Sequence, residues 1–164
     1  MLELKTIVTG GQTGVDRGAL DAALANRFPC GGWCPHGRIA EDGLIPPRYP
    51  VRELETGGYE ERTLQNVVDS DGTLIIYFGH LSGGTELTQV CCVQRGKPYQ
   101  LIDAREVSIA RAAALALQFI DSHDISVLNV AGPRESDWEG AGEYTARVLD
   151  EVIQDVRKHT RRGD

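Results

Sequence analysis

The sequence of 164 residues has no excess of basic side chains, no long hydrophobic run and few aromatics. Lysine and arginine number 17 against 24 aspartates and glutamates, which gives a net charge of −7. Proteins that bind nucleic acid need a basic surface that replaces counterions. The longest apolar stretch, Ile109 to Ile120, contains Arg111 and Gln118 and is too short to cross a bilayer. We therefore expect neither a nucleic-acid nor a membrane partner.

Cysteine is also scarce, and the sequence does not start with an apolar leader. The four cysteines are Cys30, Cys34, Cys91 and Cys92. These features predict a reducing, cytoplasmic setting with free thiols. Cys30 and Cys34 could form a metal site with His36, but zinc usually takes four ligands and no second pair has suitable spacing. We expect no tightly bound structural metal.

Three familiar catalytic or nucleotide-binding signatures are incomplete. The segment Gly10–Gly18 does not contain the G-x-G-x-x-G pattern of dinucleotide-binding turns. The segment Gly79–Thr85 has the frame of a Walker A loop, but a threonine stands where the phosphate-binding lysine belongs. Ser82 lacks the first glycine of a nucleophile elbow, because position 80 is histidine. These departures argue against a P-loop NTPase and a serine hydrolase.

What the sequence does contain is an alternation of apolar runs and helical periodicity. Continuously apolar strands that alternate with helices are typical of a parallel sheet covered on both faces. We predict a single-domain, Rossmann-like, doubly wound α/β fold over residues 1–164, with a mostly parallel sheet of five or more strands, helices on both faces and a frayed basic tail at 157–164. The predicted strands are Leu4–Thr9, Gly32–Cys34, Val51–Leu54, Thr73–Phe78, Tyr99–Ile102 and Ile125–Val130, and the predicted helices are Val15–Phe28, Glu60–Val68, Glu86–Gln94, Arg105–Ser122 and Gly142–His159.

Three of the strands end in loops rich in glycine and hydroxyl side chains. In a doubly wound sheet such loops share the carboxyl edge, where helix N-termini attract anions. We predict that the three loops meet in one pocket that holds a small phosphate-bearing ligand, with the backbone of Gly83 and Gly84 against the phosphate. The candidate binding residues are Gly10, Gly11, Gln12, Thr13, Gly14, Asp16, Arg17, Arg38, Ser82, Gly83, Gly84, Thr85, Asn129, Gly132, Pro133, Arg134, Glu135 and Ser136.

The sequence leaves the catalytic residues unknown. Asp16, Glu86 and Glu135 stand near the loops and could act as general bases or orient ligand hydroxyls. They could equally be carboxylates that a helix dipole favours.

Several linked motifs resemble the molybdenum carrier family, which is similar to molybdenum cofactor carrier proteins and more distantly to lysine-decarboxylase-like nucleotide-binding Rossmannoids. The motifs are Gly10–Ala19, Gly37–Gly43, Arg62–Thr73, Ser82–Thr85 and Asn129–Ser136, and the resemblance covers nearly the whole chain. It implies a Rossmann-like sheet, a homo-oligomer, and a pocket for a pterin or nucleotide-type phosphate. The phosphoribohydrolase branch has a Pro-Gly-Gly-x-Gly-Thr-x-x-Glu loop. Here the loop is shorter and ends in Gln89, which argues against nucleotide cleavage.

These observations lead to one favoured hypothesis and two alternatives. The favoured one is a non-enzymatic carrier that holds the molybdenum cofactor by its terminal phosphate and molybdate end. The first alternative is a hydrolase or sensor of a nucleotide such as ADP-ribose or a nucleoside monophosphate. The second is a structural subunit with vestigial loops. We also expect a homo-oligomer, a dimer or tetramer, because symmetric self-association is common among soluble domains and the family resemblance points the same way.

Overall fold

The computed structural model describes residues 3–162, in which strands and helices alternate along the chain. The strands are β1 (Thr6–Val8), β2 (Cys30–Gly31), β3 (Trp33–Cys34), β4 (Ile39–Ala40), β5 (Gly43–Leu44), β6 (Arg52–Glu53), β7 (Gly72–Tyr77), β8 (Tyr99–Asp103) and β9 (Val127–Ala131). The helices are α1 (Val15–Ala25), α2 (Tyr59–Val68), α3 (Gly83–Arg95), α4 (Ile109–Ser122) and α5 (Ala141–Arg162).

Five strands form the central sheet in the order β2-β1-β9-β7-β8, and every neighbouring pair is parallel. The register places Ile7 beside Leu128 and Leu74 beside Val130. These apolar residues are typical of a sheet that has no solvent-exposed face, because parallel strands are covered by helices on both sides. The predicted α/β fold with a parallel five-stranded sheet is confirmed.

The helices cover the two faces unequally. Helices α1, α4 and α5 pack together on one face, whereas α2 and α3 pack against each other on the other. Along β7 the side chains alternate between these faces: Leu74 and Ile76 join the core under α1, α4 and α5, while Thr73 approaches Cys92 of α3. All four cysteines are free. None of the helices in the described range is long and apolar enough to span a membrane.

The order of strands positions the site. From β1 the chain continues to the edge strand β2, whereas from β7 it continues to the opposite edge strand β8. This change of direction opens a crevice above the carboxyl ends of β1, β9 and β7, the usual ligand position in an open α/β sheet.

Several element boundaries differ from the predictions. Helix α3 begins at Gly83, three residues before the predicted Glu86, so the glycine loop forms its first turn. Helix α4 begins at Ile109 and not at Arg105, which leaves Arg105 in the preceding loop. The basic tail is not frayed at its start, because α5 continues to Arg162. Residues 163–164 of the tail lie outside the described range, as do residues 1–2.

Candidate functional site

The three glycine-rich loops open into one cleft at the carboxyl edge of the sheet. Its volume is about 970 Å³, and it is lined by residues after β1, β7 and β9 together with parts of α2 and α3. Of the predicted binding residues, those that line the cleft are Gly10, Gln12, Asp16, Ser82, Gly83, Gly84, Thr85, Asn129, Gly132, Pro133 and Arg134. Those that do not line it are Gly11, Thr13, Gly14, Arg17, Arg38, Glu135 and Ser136.

The first turn of α3 presents hydrogen-bond donors to this cleft. Ser82 is the N-cap residue, and its hydroxyl makes no capping hydrogen bond. The first N–H groups of a helix have no intrahelical acceptor, and those of Gly83 and Gly84 find none elsewhere in residues 3–162. Thr85 is only 7% exposed, yet its hydroxyl has no hydrogen-bond partner in the described chain. A Cβ on Gly84 would meet nothing within 4 Å, so open space lies beside this turn.

Two other helix N-termini at this edge are already occupied by carboxylates of the protein. Asp16, in the first turn of α1, accepts a hydrogen bond from the N–H of Gln12 at 3.2 Å. Glu135 accepts from the N–H groups of Gly140 at 2.5 Å and Gly142 at 3.0 Å, where α5 begins. An internal carboxylate thus satisfies the partial positive charge that the helix dipole creates at α1 and α5.

Asp16 is part of a buried ion pair on the wall of the cleft. Its Oδ2 lies 2.9 Å from Nη1 of Arg62, and the two side chains are 6% and 13% exposed. Burial raises the pKa of Asp16, while the charge of Arg62 and hydrogen bonds from Arg62 and the backbone oppose that rise. Gly10 belongs to the same arrangement, because a Cβ there would lie 1.5 Å from Nη1 of Arg62. The glycine is required for the close approach of the guanidinium.

Two buried donors in this region have no acceptor among residues 3–162: Nε2 of Gln12 and Nε of Arg62. The other amide atom of Gln12, Oε1, accepts from the N–H groups of Thr13 and Glu41. Gln12 therefore holds the loop after β1 against the segment around Glu41.

The hydroxyl groups of Thr13 and Ser136 donate hydrogen bonds to Glu41, and the two residues do not line the cleft. Glu41 lies between β4 and β5, and its carboxylate accepts hydrogen bonds from both hydroxyls and from the N–H of Ser136. Burial alone would raise the pKa of Glu41, but hydrogen bonds from Ser136 and Thr13 lower it. This carboxylate ties the loops after β1 and β9 together.

Two predicted arginines have structural partners away from the cleft. Arg17 pairs with Asp42 at 2.8 Å and donates to the carbonyl of Gly11. Arg38 donates to four backbone carbonyls between residues 45 and 51, at 2.6–3.4 Å. Arg38 therefore organises the irregular segment that follows β3.

Gly14 and Gly132 permit close packing of backbone segments. Gly14 has φ +78°, and a Cβ there would lie 2.4 Å from the carbonyl oxygen of Pro133. A Cβ on Gly132 would lie 2.4 Å from the carbonyl oxygen of Ile76. Both contacts fix the loop after β9 against its neighbours.

Sequence reasoning missed several side chains that line the cleft, among them Tyr59, Arg62, Arg105 and Trp138. The guanidinium groups of Arg62 and Arg134 lie 5.5 and 5.7 Å from the ring centroid of Tyr59. Arg62 lies in Arg62–Thr73, one of the motifs on which the family resemblance rests, so the sequence contains a signal that this arginine matters. The apolar pattern predicts a helix that starts at Arg105, which hides its position in a loop at the cleft. Trp138 follows the loop after β9, and only the scarcity of tryptophan singles it out.

The charges in the cleft are only partly neutralised. Arg134 lies 3.5 Å from Asp137, and both side chains are well exposed. The guanidinium of Arg105 has no carboxylate within 4.0 Å in the described chain. In residues 3–162 no group of three or more His, Cys, Asp and Glu side chains is placed to hold a metal ion. The cleft thus offers backbone donors, hydroxyls, guanidinium groups and aromatic rings.

Comparison with known proteins identifies the family. The model of the circularly permutated YpsA SLOG family matches residues 7–153. A crystal structure of a "putative molybdenum carrier protein" from Syntrophus aciditrophicus SB is 44% identical, has a TM-score of 0.89, and aligns over 92% of this chain and 96% of that one. No curated protein matches this chain significantly. The family resemblance predicted from the motifs is confirmed. The chain belongs to the circularly permutated YpsA SLOG family.

Proposed function

We propose that this protein binds a phosphate-bearing small molecule in the cleft and carries the molybdenum cofactor. The observation that supports this most directly is the first turn of α3. The N–H groups of Gly83 and Gly84 and the hydroxyls of Ser82 and Thr85 have no partner in the described chain, and these residues line the cleft. Carboxylates of the protein, in contrast, occupy the N-termini of α1 and α5. An anionic ligand therefore finds its donors at Ser82–Thr85.

The arginines of the cleft complete the anion site. Arg105 has no carboxylate partner in the described chain, and Arg134 is held only by an exposed pair with Asp137. Exposed ion pairs contribute little free energy, so Arg134 can exchange Asp137 for a ligand oxyanion. Backbone N–H groups would hold the terminal phosphate, and arginines would face the remaining negative charge.

The relative that is called a molybdenum carrier supports the choice of cargo. A cleft of about 970 Å³ is at the upper end of the sizes found for small-molecule sites and has room for a pterin cofactor. A carrier should return its cargo unchanged. Native mass spectrometry of freshly purified protein tests this directly, with a co-purifying cofactor as the expected result.

One property of Asp16, its burial on the wall of the cleft, is the basis for an alternative function. This alternative is hydrolysis of a nucleotide such as ADP-ribose or a nucleoside monophosphate. A buried carboxyl group with a raised pKa on a cleft wall is a candidate acid or base. Its pairing with Arg62 and the N–H of Gln12 favours a structural role. Incubation with these nucleotides followed by chromatography decides between them, because a hydrolase releases base and sugar phosphate.

A pair of serine variants tests the binding site itself. Ser82 and Ser108 are both N-cap residues, but only Ser108 accepts a capping hydrogen bond, from the N–H of Arg111 at 3.2 Å. Ser108→Ala should lower the free energy of unfolding by about 0.5–2 kcal/mol and leave ligand affinity unchanged. Ser82→Ala should leave stability unchanged and weaken binding. Thr85→Ala should weaken it by about 0.5–1.5 kcal/mol, or up to about 3 kcal/mol against a charged phosphate.

Calorimetric titration with molybdenum cofactor, a nucleoside monophosphate and ADP-ribose supplies the affinities. If Ser82→Ala and Thr85→Ala bind every ligand as the parent does, the first turn of α3 is not the phosphate site. If the parent binds none of them, the proposed function is wrong.

We also propose that the protein is a homo-oligomer. Val90 and Val93 of α3 are 42% and 63% exposed, although both are apolar. Sedimentation at micromolar concentration should show a species larger than the 17.9 kDa chain. A monomer alone would contradict this proposal.

A further inference from the structure

Trp138 forms an exposed aromatic wall at one side of the cleft. Its ring stacks on Phe78 with a centroid separation of 4.7 Å and an interplanar angle of 17°. Phe78 is 9% exposed, whereas Trp138 remains 38% exposed and lines the cleft. One face of the indole is therefore covered by the core, and the residue still presents apolar surface to the cleft.

Backbone hydrogen bonds hold the main chain of Trp138, and stacking on Phe78 positions its ring. The N–H of Trp138 donates to the carbonyl of Arg134 at 3.2 Å, and its carbonyl accepts from Ala141 at 3.1 Å. The indole N–H has no hydrogen-bond partner in the described chain. A fixed, exposed indole with an open donor is suited to a partner that is apolar on its face and polar at its edge.

The stacking surface lies close to the proposed phosphate site along the chain. Phe78, which supports the indole, directly follows β7, and three residues separate it from Ser82. Phe78 and His80 form a bridge that turns the chain tightly between them. The guanidinium of Arg105, which lacks a carboxylate partner, lies 5.8 Å from the centroid of the indole.

We propose that Trp138 is a specificity-determining residue that stacks on a planar heterocycle of the ligand, while the phosphate of the same ligand binds at Ser82–Thr85. The ligand class is then a phosphate ester of a heteroaromatic compound, with either a purine or a pterin as its ring. This inference rests on the proposed function, because it takes the phosphate site as given. The guanidinium of Arg105 lies over the indole, 5.8 Å from its centroid, so a ligand ring that stacks on Trp138 would displace this guanidinium towards the negative charge of the ligand.

The two tryptophans of the chain permit a direct test. Trp33 lies on β3 and outside the cleft, where its indole N–H donates to Asp69 at 2.8 Å. The variant Trp33→Phe leaves Trp138 as the only tryptophan of the chain. AMP, GMP and neopterin monophosphate are titrated into this protein, and ribose 5-phosphate serves as the ligand without a ring. We expect either the two purine nucleotides, AMP and GMP, or neopterin monophosphate to quench the fluorescence emission of Trp138 saturably. The ring class that binds more tightly identifies the heterocycle of the ligand.

Affinities of Trp138 variants, measured by calorimetry, complete the test. Trp138→Leu should weaken the ring-bearing phosphate by about 5- to 150-fold, the fold-change for about 1–3 kcal/mol of base–aromatic stacking. It should leave the affinity for ribose 5-phosphate unchanged. Trp138→Phe keeps an aromatic ring on Phe78 and should retain most of the affinity. Thermal unfolding of each variant verifies that the fold is intact.

Each failure has its own signature. If Trp138→Leu binds the ring-bearing phosphates as the parent does, while Ser82→Ala weakens them, the stacking role is wrong and the phosphate site stands. If Trp138→Leu weakens ribose 5-phosphate equally, Trp138 only supports the cleft, and the inference is also wrong. If the parent binds no probe, both proposals fail together.

Discussion

Replacement of Arg62 by methionine would leave the carboxylate of Asp16 buried without its ion-pair partner. Asp16 is 6% exposed at its side chain, and Nη1 of Arg62 at 2.9 Å provides its charge partner. Removal of one partner from a buried pair costs about 3–5 kcal/mol. Because Arg62 is still 13% exposed and Asp16 keeps the N–H of Gln12 at 3.2 Å, we expect a loss near 3 kcal/mol at neutral pH, the lower end of that range.

The loss should depend on pH with a defined sign. Burial raises the pKa of Asp16 above its ordinary value of 3.8, and Arg62 is the strongest influence against that rise. Without Arg62 the pKa should rise further. A carboxyl group that binds its proton more tightly in the folded state stabilises the fold at low pH, and this contribution is lost as the pH rises from about 4. The penalty of Arg62→Met should therefore be small near pH 4.5 and full at pH 7.5.

Urea denaturation of parent and variant at several pH values measures this difference. Arg48→Met is the matched control, because Arg48 and its partner Asp21 are 64% and 44% exposed at 3.4 Å, and an exposed pair contributes about 1 kcal/mol or less. The double variant Asp16→Asn/Arg62→Met should recover part of the loss, since the buried group is then neutral. An equal penalty at pH 4.5 and pH 7.5 would refute the argument that an unpaired carboxylate is its cause.

Four further substitutions test the packing that surrounds the site and the first turn of α3. Gly10→Ala should displace the guanidinium of Arg62 from Asp16, and in urea denaturation a double-mutant cycle with Arg62→Met should show a coupling of at least about 1 kcal/mol. Gly14→Ala should lower the free energy of unfolding by at least about 3 kcal/mol, since φ of Gly14 is +78° and a backbone carbonyl occupies the position of the Cβ. Gly84→Ala is the contrasting variant, because open space lies beside that glycine: it should leave the melting temperature unchanged and weaken phosphate binding. Arg38→Met should lower the free energy of unfolding by about 2–4 kcal/mol and speed amide hydrogen exchange in residues 30–58, because four carbonyls lose a charged donor. Unchanged exchange in these residues would contradict the role of Arg38.

The sheet was predictable from sequence because its strands are buried on both faces. Thr73–Phe78 is a continuous apolar run, and the observed β7 spans Gly72–Tyr77. Helix starts were harder to predict. Periodicity begins only where apolar side chains recur, so the sequence predicts that α3 starts at Glu86, although the backbone is helical from Gly83. Gly83 and Gly84 carry no side chain, so they add nothing to the apolar periodicity from which a helix is predicted.

The roles of individual site residues depend on contacts between distant segments. Gly10 and Gly84 look alike in sequence, since each lies in a turn between a strand and a helix. The structure places a guanidinium from α2 against Gly10 and open space beside Gly84. Thr13 and Ser136 have the hydroxyls expected of a phosphate site, but Glu41 supplies an internal carboxylate that binds both. No local pattern contains these partners.

The same reasoning explains why a net charge of −7 is compatible with the proposed anion site. Net charge governs long-range attraction, whereas binding depends on which donors the fold leaves without a partner. The charge of Arg17 is neutralised by Asp42, and the donors of Arg38 are taken up by backbone carbonyls. Arg105 has no such partner in the described chain and lies in the cleft. An arginine thus becomes available to a ligand where the fold brings it neither a carboxylate nor a set of backbone carbonyls, and in this cleft that condition coincides with the uncapped first turn of α3.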